Sequence, residues 1–376
     1  MKKEYLLIPG PTPISPEVIS AMALPMINHR GPEFAAIFKE ITEGVQWSFQ
    51  TKNDVFILTA SGTGAMEAAI ANTLSPGDKV LIGDIGAFGA RFVKICKAFG
   101  VDTEVIKVER GRALDPDEVK KKLDTVKDIK AVLFQQNETS TGVLNDVKAI
   151  CRAVGGRALT IVDGISGVLT ADIKADEWGV DVLLAGSQKA YMIPPGLAFI
   201  SFSPKAWEAY KTAKCPKFYF DLAQAKKFLE KWTTPATPSV SLVYGLQRSL
   251  QFLKAEGLEN IFARHKQMTQ SVRAAVKALG AQPLAAERVA SQSVTGVVPP
   301  AGMDAEAIRK GVKAKFGVTL AGGQEDLKGK IFRIGHMGYI NNGDLITAFS
   351  ALEVLFKELG HKVAPGAAIA AFEEAM

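Results

Sequence analysis

Between residues 54 and 202 the chain alternates short, mainly apolar runs with longer stretches whose apolar residues recur every three or four positions. The runs at 54–58, 79–82, 102–106, 131–134, 159–162, 182–184 and 198–202 read as strands, and 65–74, 88–99, 115–123 and 146–154 carry helical periodicity. Strands that are apolar on both faces and separated by helices predict a mainly parallel, seven-stranded sheet covered on both sides. That is an α/β domain whose ligand belongs at the carboxyl ends of the strands. Upstream, Pro9-Gly10-Pro11-Thr12-Pro13 can continue neither a helix nor a central strand, so residues 1–15 form an extended arm that must lie on something. Helices are predicted from Ser15, a capping residue followed by Pro16, to Met22, and over 32–49, where Phe34, Ile37, Phe38, Ile41 and Val45 share a face. After the break at Thr233–Ser239, one long helical stretch runs from Val240 to about Leu279, with Leu242, Leu246, Leu250 and Leu253 at core spacing. Short strands at 294–298, 318–321 and 331–334, with helices at 304–316 and 344–359, then predict a smaller α+β domain. The expected division is an arm over 1–15, a large domain over 16–254 and a small one over 255–376. The Ala-rich tail, 364–376, is helix-prone and receives no role.

Composition narrows the function. With 376 residues, 47% hydrophobic and 22% charged, the chain is too long for one simple core, in keeping with two domains. The formal net charge is +6, and the one basic block, Lys120–Lys122, reads as the solvated face of a helix, so nucleic acid is not the expected partner. The positive balance suits phosphate and carboxylate ligands better. Cys96, Cys151 and Cys215 are odd in number and far apart, and there are four His, which supports neither a disulfide framework nor a metal-centred enzyme. No apolar stretch reaches membrane-spanning length, and the N-terminal apolar run is too short for a signal peptide, leaving the cytoplasm as the default compartment.

Three places carry chemistry. Lys189 lies on a small polar turn, Gly186-Ser187-Gln188-Lys189, between the apolar runs Val182–Leu184 and Leu197–Phe202. A lysine on a turn is ordinarily a solvated charge. An amine emerging between two buried strands is instead desolvated, which lowers its pKa and makes it a nucleophile able to form a Schiff base. Ser61-Gly62-Thr63-Gly64 follows the strand ending at Leu58 and opens a helix, where free N–H groups and the helix dipole favour an anion; the same residues also make a plain strand-to-helix turn. Asp163 directly follows Leu159–Val162, and a carboxylate there must be paired or hydrogen-bonded. It either caps the next element or holds a protonated ring nitrogen, as in pyridoxal phosphate enzymes.

With those residues together, the chain resembles the class V aminotransferases of fold type I, most closely the alanine-glyoxylate and serine-pyruvate branch. The similarity runs from Pro9-Gly10-Pro11-Thr12 to the Ile334-Gly335 region, and its most specific segment is Gly186-Ser187-Gln188-Lys189-Ala190 followed by Pro194-Pro195-Gly196. The resemblance implies pyridoxal 5'-phosphate as cofactor, Lys189 as its Schiff-base lysine and Asp163 as the partner of its ring nitrogen. It places Ser61, Gly62, Thr63 and Gln188 at the phosphate, and Thr139 near the phenolic oxygen. It implies that Arg333 binds the substrate carboxylate through two parallel hydrogen bonds and that Gly10, in the arm, closes the same pocket.

The chain departs from the family in two places. Phe88 stands where the animal alanine-glyoxylate enzymes stack a tryptophan on the ring, which keeps the role with less area. In the segment that reaches a neighbouring subunit's phosphate, a Tyr is missing and Thr234 or Thr237 is left to serve. The implied activity is transfer of an amino group from alanine or serine to glyoxylate or pyruvate by a homodimer with active sites at the subunit interface. Aspartate or 2-aminoethylphosphonate as donor, or a non-catalytic phospho-ligand-binding module, are the alternatives. A cysteine desulfurase is disfavoured, because Gln188 replaces the His that usually precedes the lysine and no Cys lies in a suitable loop.

Overall fold

The structure is a computed structural model and describes residues 3–376. The arm contains β1 (Tyr5–Leu7) and passes through a cis Gly10–Pro11 peptide. In α1 (Pro16–Met22) the Ser15 hydroxyl accepts the Val18 N–H and Pro16 occupies the first turn, as the sequence predicts. The amphipathic α2 (Pro32–Phe49) buries Phe34, Phe38, Ile41 and Val45. The alternating region follows as β2 (Asp54–Leu58), α3 (Gly62–Thr73), β3 (Lys79–Asp84), α4 (Ala87–Ala98), β4 (Asp102–Lys107), α5 (Pro116–Thr125) and β5 (Ile129–Gln135). A small hairpin, β6 (Asn137–Glu138) and β7 (Val143–Leu144), precedes α6 (Val147–Val154), β8 (Leu159–Asp163), the short α7 (Ala175–Trp178), β9 (Val182–Gly186) and β10 (Ala198–Phe202).

The seven expected strands form one sheet in the order β2-β10-β9-β8-β5-β3-β4. Only β10 runs against its neighbours. Successive residues of each central strand point into opposite layers. Phe134, Val162, Leu183 and Phe199 enter one core, while Leu133, Ile161, Leu184 and Ile200 enter the other. This two-sided burial is why the strands read as unbroken apolar runs.

Two helices then appear that the apolar pattern does not signal, α8 (Pro204–Tyr210) and α9 (Leu222–Leu229). Each buries a single residue, Ala206 and Leu222 respectively, too little to leave a period. The predicted single helix over 240–279 is also corrected. It is two helices, α10 (Val240–Glu256) and α11 (Leu258–Ala278), separated at Gly257, whose φ of 80° only glycine adopts readily. Both helices bury a face, so the core spacing runs through the break unaltered.

The remainder is β11 (Gln282–Pro283), β12 (Val294–Val298), α12 (Ala305–Phe316), β13 (Val318–Gly322), β14 (Phe332–Gly335), α13 (Asn342–Glu358) and α14 (Ala367–Glu374). A second sheet has the order β1-β13-β14-β12-β11. The arm therefore supplies an edge strand to the C-terminal sheet, with Tyr5 paired to Val318 in parallel.

The Ala-rich tail also has a structural place. In α14, Ala368 and Phe372 are buried, Phe372 lies 6.0 Å from the Phe349 ring, and the Glu353 carboxylate accepts the N–H groups of Gly366 and Ala368. We expect Phe372→Ala to destabilise the protein by about 3–5 kcal/mol, read as a lower denaturant midpoint. An unchanged midpoint would show that the tail is not part of this core.

Candidate active site

Lys189 follows the end of β9 on a turn fixed by Ser187, whose hydroxyl donates to Pro194 O at 2.7 Å and accepts the Leu197 N–H at 3.2 Å. Its side chain is only 8% exposed. The arm lies directly over it. Lys189 Nζ donates to the Pro9 carbonyl, Thr12 Oγ1 donates to Lys189 O at 2.9 Å, and the Thr12 N–H donates to Gln188 O at 3.1 Å. Gly10 has φ +125°, and a Cβ there would stand 2.6 Å from Lys189 Nζ, so no larger residue lets the arm close on the amine. Burial pulls the Lys189 ammonium down to about 8; the positive charges of Arg333 and Arg91 act the same way, and Asp163 opposes them.

Asp163 is the last residue of β8 and is buried. One of its oxygens, Oδ1, accepts the Ile165 N–H at 2.9 Å within the following turn. Burial pushes its carboxyl up to about 7, helped by the nearby Glu138 charge and opposed by the Ile165 N–H, Arg91 and Lys189. A carboxyl so placed is suited to share a proton with a basic nitrogen brought against it.

The turn after β2 leads into α3 with Ser61 at the cap position, yet the Ser61 hydroxyl makes no capping hydrogen bond. The turn packs closely, since a Cβ on Gly62 would lie 2.4 Å from Ile165 Cδ1. Thr63 Oγ1 accepts a hydrogen bond from Arg91 Nη1 at 3.1 Å. Gln188 Oε1, on the neighbouring turn, is buried with no partner, so this acceptor has an unmet bond that an incoming donor would satisfy. A twelve-residue helix whose N-terminus lacks a side-chain cap, with small residues in its first turn, presents free N–H donors fitted to a phosphate group.

On α4, Phe88 is half-buried, and the Arg91 guanidinium lies 4.5 Å from the centre of its ring. Thr139 Oγ1 shares a 2.6 Å hydrogen bond with Ser166 Oγ. Arg333, in β14, is 5% exposed. Its Nε donates to Gly322 O at 2.9 Å and its Nη1 to Thr139 O at 3.0 Å, tying the second sheet to the loop that carries Thr139. The Arg333 guanidinium is therefore oriented by two carbonyls and is no loose strand-surface charge. Burial lowers its pKa to about 10, with Glu138 opposing.

Lys189, Asp163, Arg333 and the 61–63 turn are thus linked through contacts or mutual charge effects by Arg91, Glu138 and the arm. Thr234 and Thr237 are not part of this cluster. Among the described residues Thr234 Oγ1 donates to Ala236 O at 2.6 Å, the segment is held by Arg30, and Thr237 is exposed. Two charged residues were missed by sequence reasoning. Arg91 stands three positions after Phe88 on the same helix, a spacing that puts both on one face. Glu138 lies in β6, three residues past the end of β5, with Gln135, Gln136 and Asn137 before it, so no apolar run leads directly up to it as one does to Asp163.

The Aminotransferase class-V family model matches residues 4–332. The chain is 50% identical to the soluble hydrogenase small subunit of Synechococcus sp. (strain PCC 6716), covering 98% of this chain and 97% of that one. It is 38% identical to the L-aspartate–glyoxylate aminotransferase of Paracoccus denitrificans (98% and 95% covered) and 37% identical to the serine–glyoxylate aminotransferase of Arabidopsis thaliana (98% and 94%). A buried lysine at the end of a parallel sheet, a buried aspartate on the next strand and a family match over most of the length agree, and the chain belongs to the class V aminotransferases.

Proposed function

We propose that this protein moves the amino group of a small amino acid, alanine or serine, to a 2-oxo acid, with glyoxylate as the principal acceptor. The observation that carries the reading is the buried Lys189 amine, set among Asp163, Arg91 and Arg333 and covered by the arm. Glyoxylate is common to the names of both aminotransferase relatives, whereas their donors differ. A small donor is favoured because Gly10 packs directly against the lysine side chain. No residue of the cluster is a cysteine, and Cys96, Cys151 and Cys215 are each free and buried, so the hydrogenase name of one relative finds no thiolate grouping in the site.

The cofactor is pyridoxal phosphate, which when bound supplies an aldehyde that bonds covalently to an amine and a ring that draws electrons from the substrate α-carbon. In our reading Lys189 is the amine that holds it, and the same amine moves the proton at the substrate α-carbon. Asp163 pairs with the ring nitrogen and keeps its proton in place. Ser61, Gly62, Thr63 and Gln188 hold the phosphate, Phe88 lies against the ring, and Thr139 sits by the phenolic oxygen. Arg333, oriented by the Gly322 and Thr139 carbonyls, binds the substrate carboxylate, and Gly10 lets the arm shut water out.

We further propose a homodimer in which Thr234 or Thr237 reaches the neighbour's phosphate. Exposed apolar residues support it: Leu24, Met26, Phe218 and Tyr219 are 51%, 66%, 85% and 54% exposed. We place the protein in the cytoplasm, and no described helix is long and apolar enough to cross a membrane.

Adding pyridoxal phosphate and scanning the visible spectrum, then assaying alanine, serine, aspartate and 2-aminoethylphosphonate against glyoxylate and pyruvate, tests the reading. No visible band and no borohydride-trapped adduct would overturn it. Fastest turnover with aspartate or aminoethylphosphonate would overturn the donor assignment alone. A pH dependence follows as well. Only the neutral amine attacks an aldehyde, and Lys189 loses its proton near pH 8, so covalent capture should speed up about tenfold per pH unit below that value and level off above it. A plateau first reached near pH 10.5 would mean that the amine behaves as an exposed lysine.

A further inference from the structure

Glu138 is a carboxylate with no exposed surface. Its Oε2 accepts the backbone N–H groups of Phe88 at 3.0 Å and Gly89 at 3.2 Å. Its Oε1 accepts the Ser140 N–H at 3.0 Å and the Ser140 hydroxyl at 2.6 Å, and that hydroxyl in turn accepts the Ala87 N–H at 2.9 Å. The first three N–H groups of α4 are thus taken by a side-chain pair some fifty residues further along the chain. The cap position itself is Gly86, which has no side chain to offer. A Cβ there would stand 2.4 Å from Glu138 Cδ and 2.4 Å from Ser140 Oγ, so the glycine is what allows the carboxylate in.

A helix start is ordinarily capped by its own N-cap residue. Here a buried charge does the work from β6, beside Thr139. Burial pushes the Glu138 carboxyl up, and the Ser140, Gly89 and Phe88 donors pull against it. The Phe88 ring is restrained from its other end by Arg91, whose guanidinium covers it while bonding to Thr63.

We propose that Glu138 is a positioning residue of the cofactor site: by gripping the first turn of α4 from the strand side, it fixes where Phe88 presents its ring to pyridoxal phosphate. The inference rests on the pyridoxal phosphate reading above. It assigns Glu138 an effect on cofactor affinity that passes through Phe88, which a purely structural cap would not have.

A double-mutant cycle on cofactor affinity tests this, with the dissociation constant read from the visible band as pyridoxal phosphate is titrated into the full-length protein. Glu138→Gln keeps the size of the side chain but turns an amide N–H₂ toward donors, and it should raise the dissociation constant roughly tenfold. Phe88→Ala should raise it by a similar factor, and Glu138→Gln made in the Phe88→Ala background should add less than about twofold. Equal factors in the two backgrounds, or no effect of Glu138→Gln at all, would overturn the proposal. If circular dichroism shows that Glu138→Gln does not fold, Ser140→Ala takes its place in the cycle, with an expected effect of roughly three- to fivefold that disappears alongside Phe88→Ala. Failure of the parent protein to develop the band would remove the cofactor reading and this inference together. A parent that binds while the cycle is additive removes the Glu138 role alone.

Discussion

Lys189→Ala should lower turnover by about four orders of magnitude or more, because one amine is assigned both the covalent and the proton-moving work. No neighbour can substitute. The other cations that act on this centre are Arg91 and Arg333, and a guanidinium gives up its proton too reluctantly to serve as a base. The variant should also lose the borohydride-trapped adduct while keeping its far-ultraviolet spectrum. Stability separates this loss from misfolding. The Lys189 amine has a folded-state pKa near 8, below its ordinary 10.5, so the fold carries the cost of a buried ammonium below pH 8 and sheds it as pH rises toward 10.5. Across that window the parent should gain stability relative to Lys189→Ala in parallel thermal melts. Single-turnover rates within tenfold of the parent would end the assignment.

The second large effect is expected from Asp163→Asn. The amide matches the carboxylate in size but cannot carry the charge that keeps a ring nitrogen protonated, so kcat should fall roughly 10²- to 10³-fold. The cofactor should still bind, since Lys189 and the 61–63 turn are untouched. A slow enzyme that keeps its borohydride-trapped adduct is therefore the signature, in contrast to Lys189→Ala, which loses it. Asp163 also holds the Lys189 pKa up against burial, so its removal should move the plateau of covalent capture below pH 8. A kcat within fivefold of the parent would show that Asp163 serves only the turn bond to Ile165.

How much of this was readable beforehand depended on the kind of signal. Six strands of the large sheet were legible because both of their faces are buried, leaving runs such as Leu159–Val162 without a charged residue, while the edge strand β4 buries only Ile106. Lys189 and Asp163 stood out as chemical groups at the ends of such runs. Helices α8 and α9 were not legible, since one buried residue apiece leaves no period, and Gly257 was overlooked because the core face continues across it. The structural place of the tail was hidden for a different reason: Phe372 has a partner, Phe349, only once α13 and α14 are folded together.

In the site, the sequence led to Arg333 but not to what holds it. The carbonyls of Gly322 and Thr139 take two of its nitrogens, and neither could be inferred from the residues flanking Arg333. Arg91 and Glu138 acquire meaning only from what they touch, Thr63 and Phe88 in one case and the start of α4 in the other. The apolar runs marked where strand ends would be; the side-chain bonds that connect those ends had no pattern of their own.

The pairing of Tyr5–Leu7 with Val318–Leu320 also bears on how the protein is made. Partners more than three hundred residues apart in sequence cannot meet until most of the chain has left the ribosome. The large sheet can assemble well before that, with Lys189 and Asp163 in place but with no anchored arm over the amine. Only when residue 320 has emerged can β1 dock and draw Pro9, Gly10 and Thr12 onto Lys189. The strand pairing that anchors the arm over the amine is thus made late in synthesis, between the first strand of the chain and one near its far end.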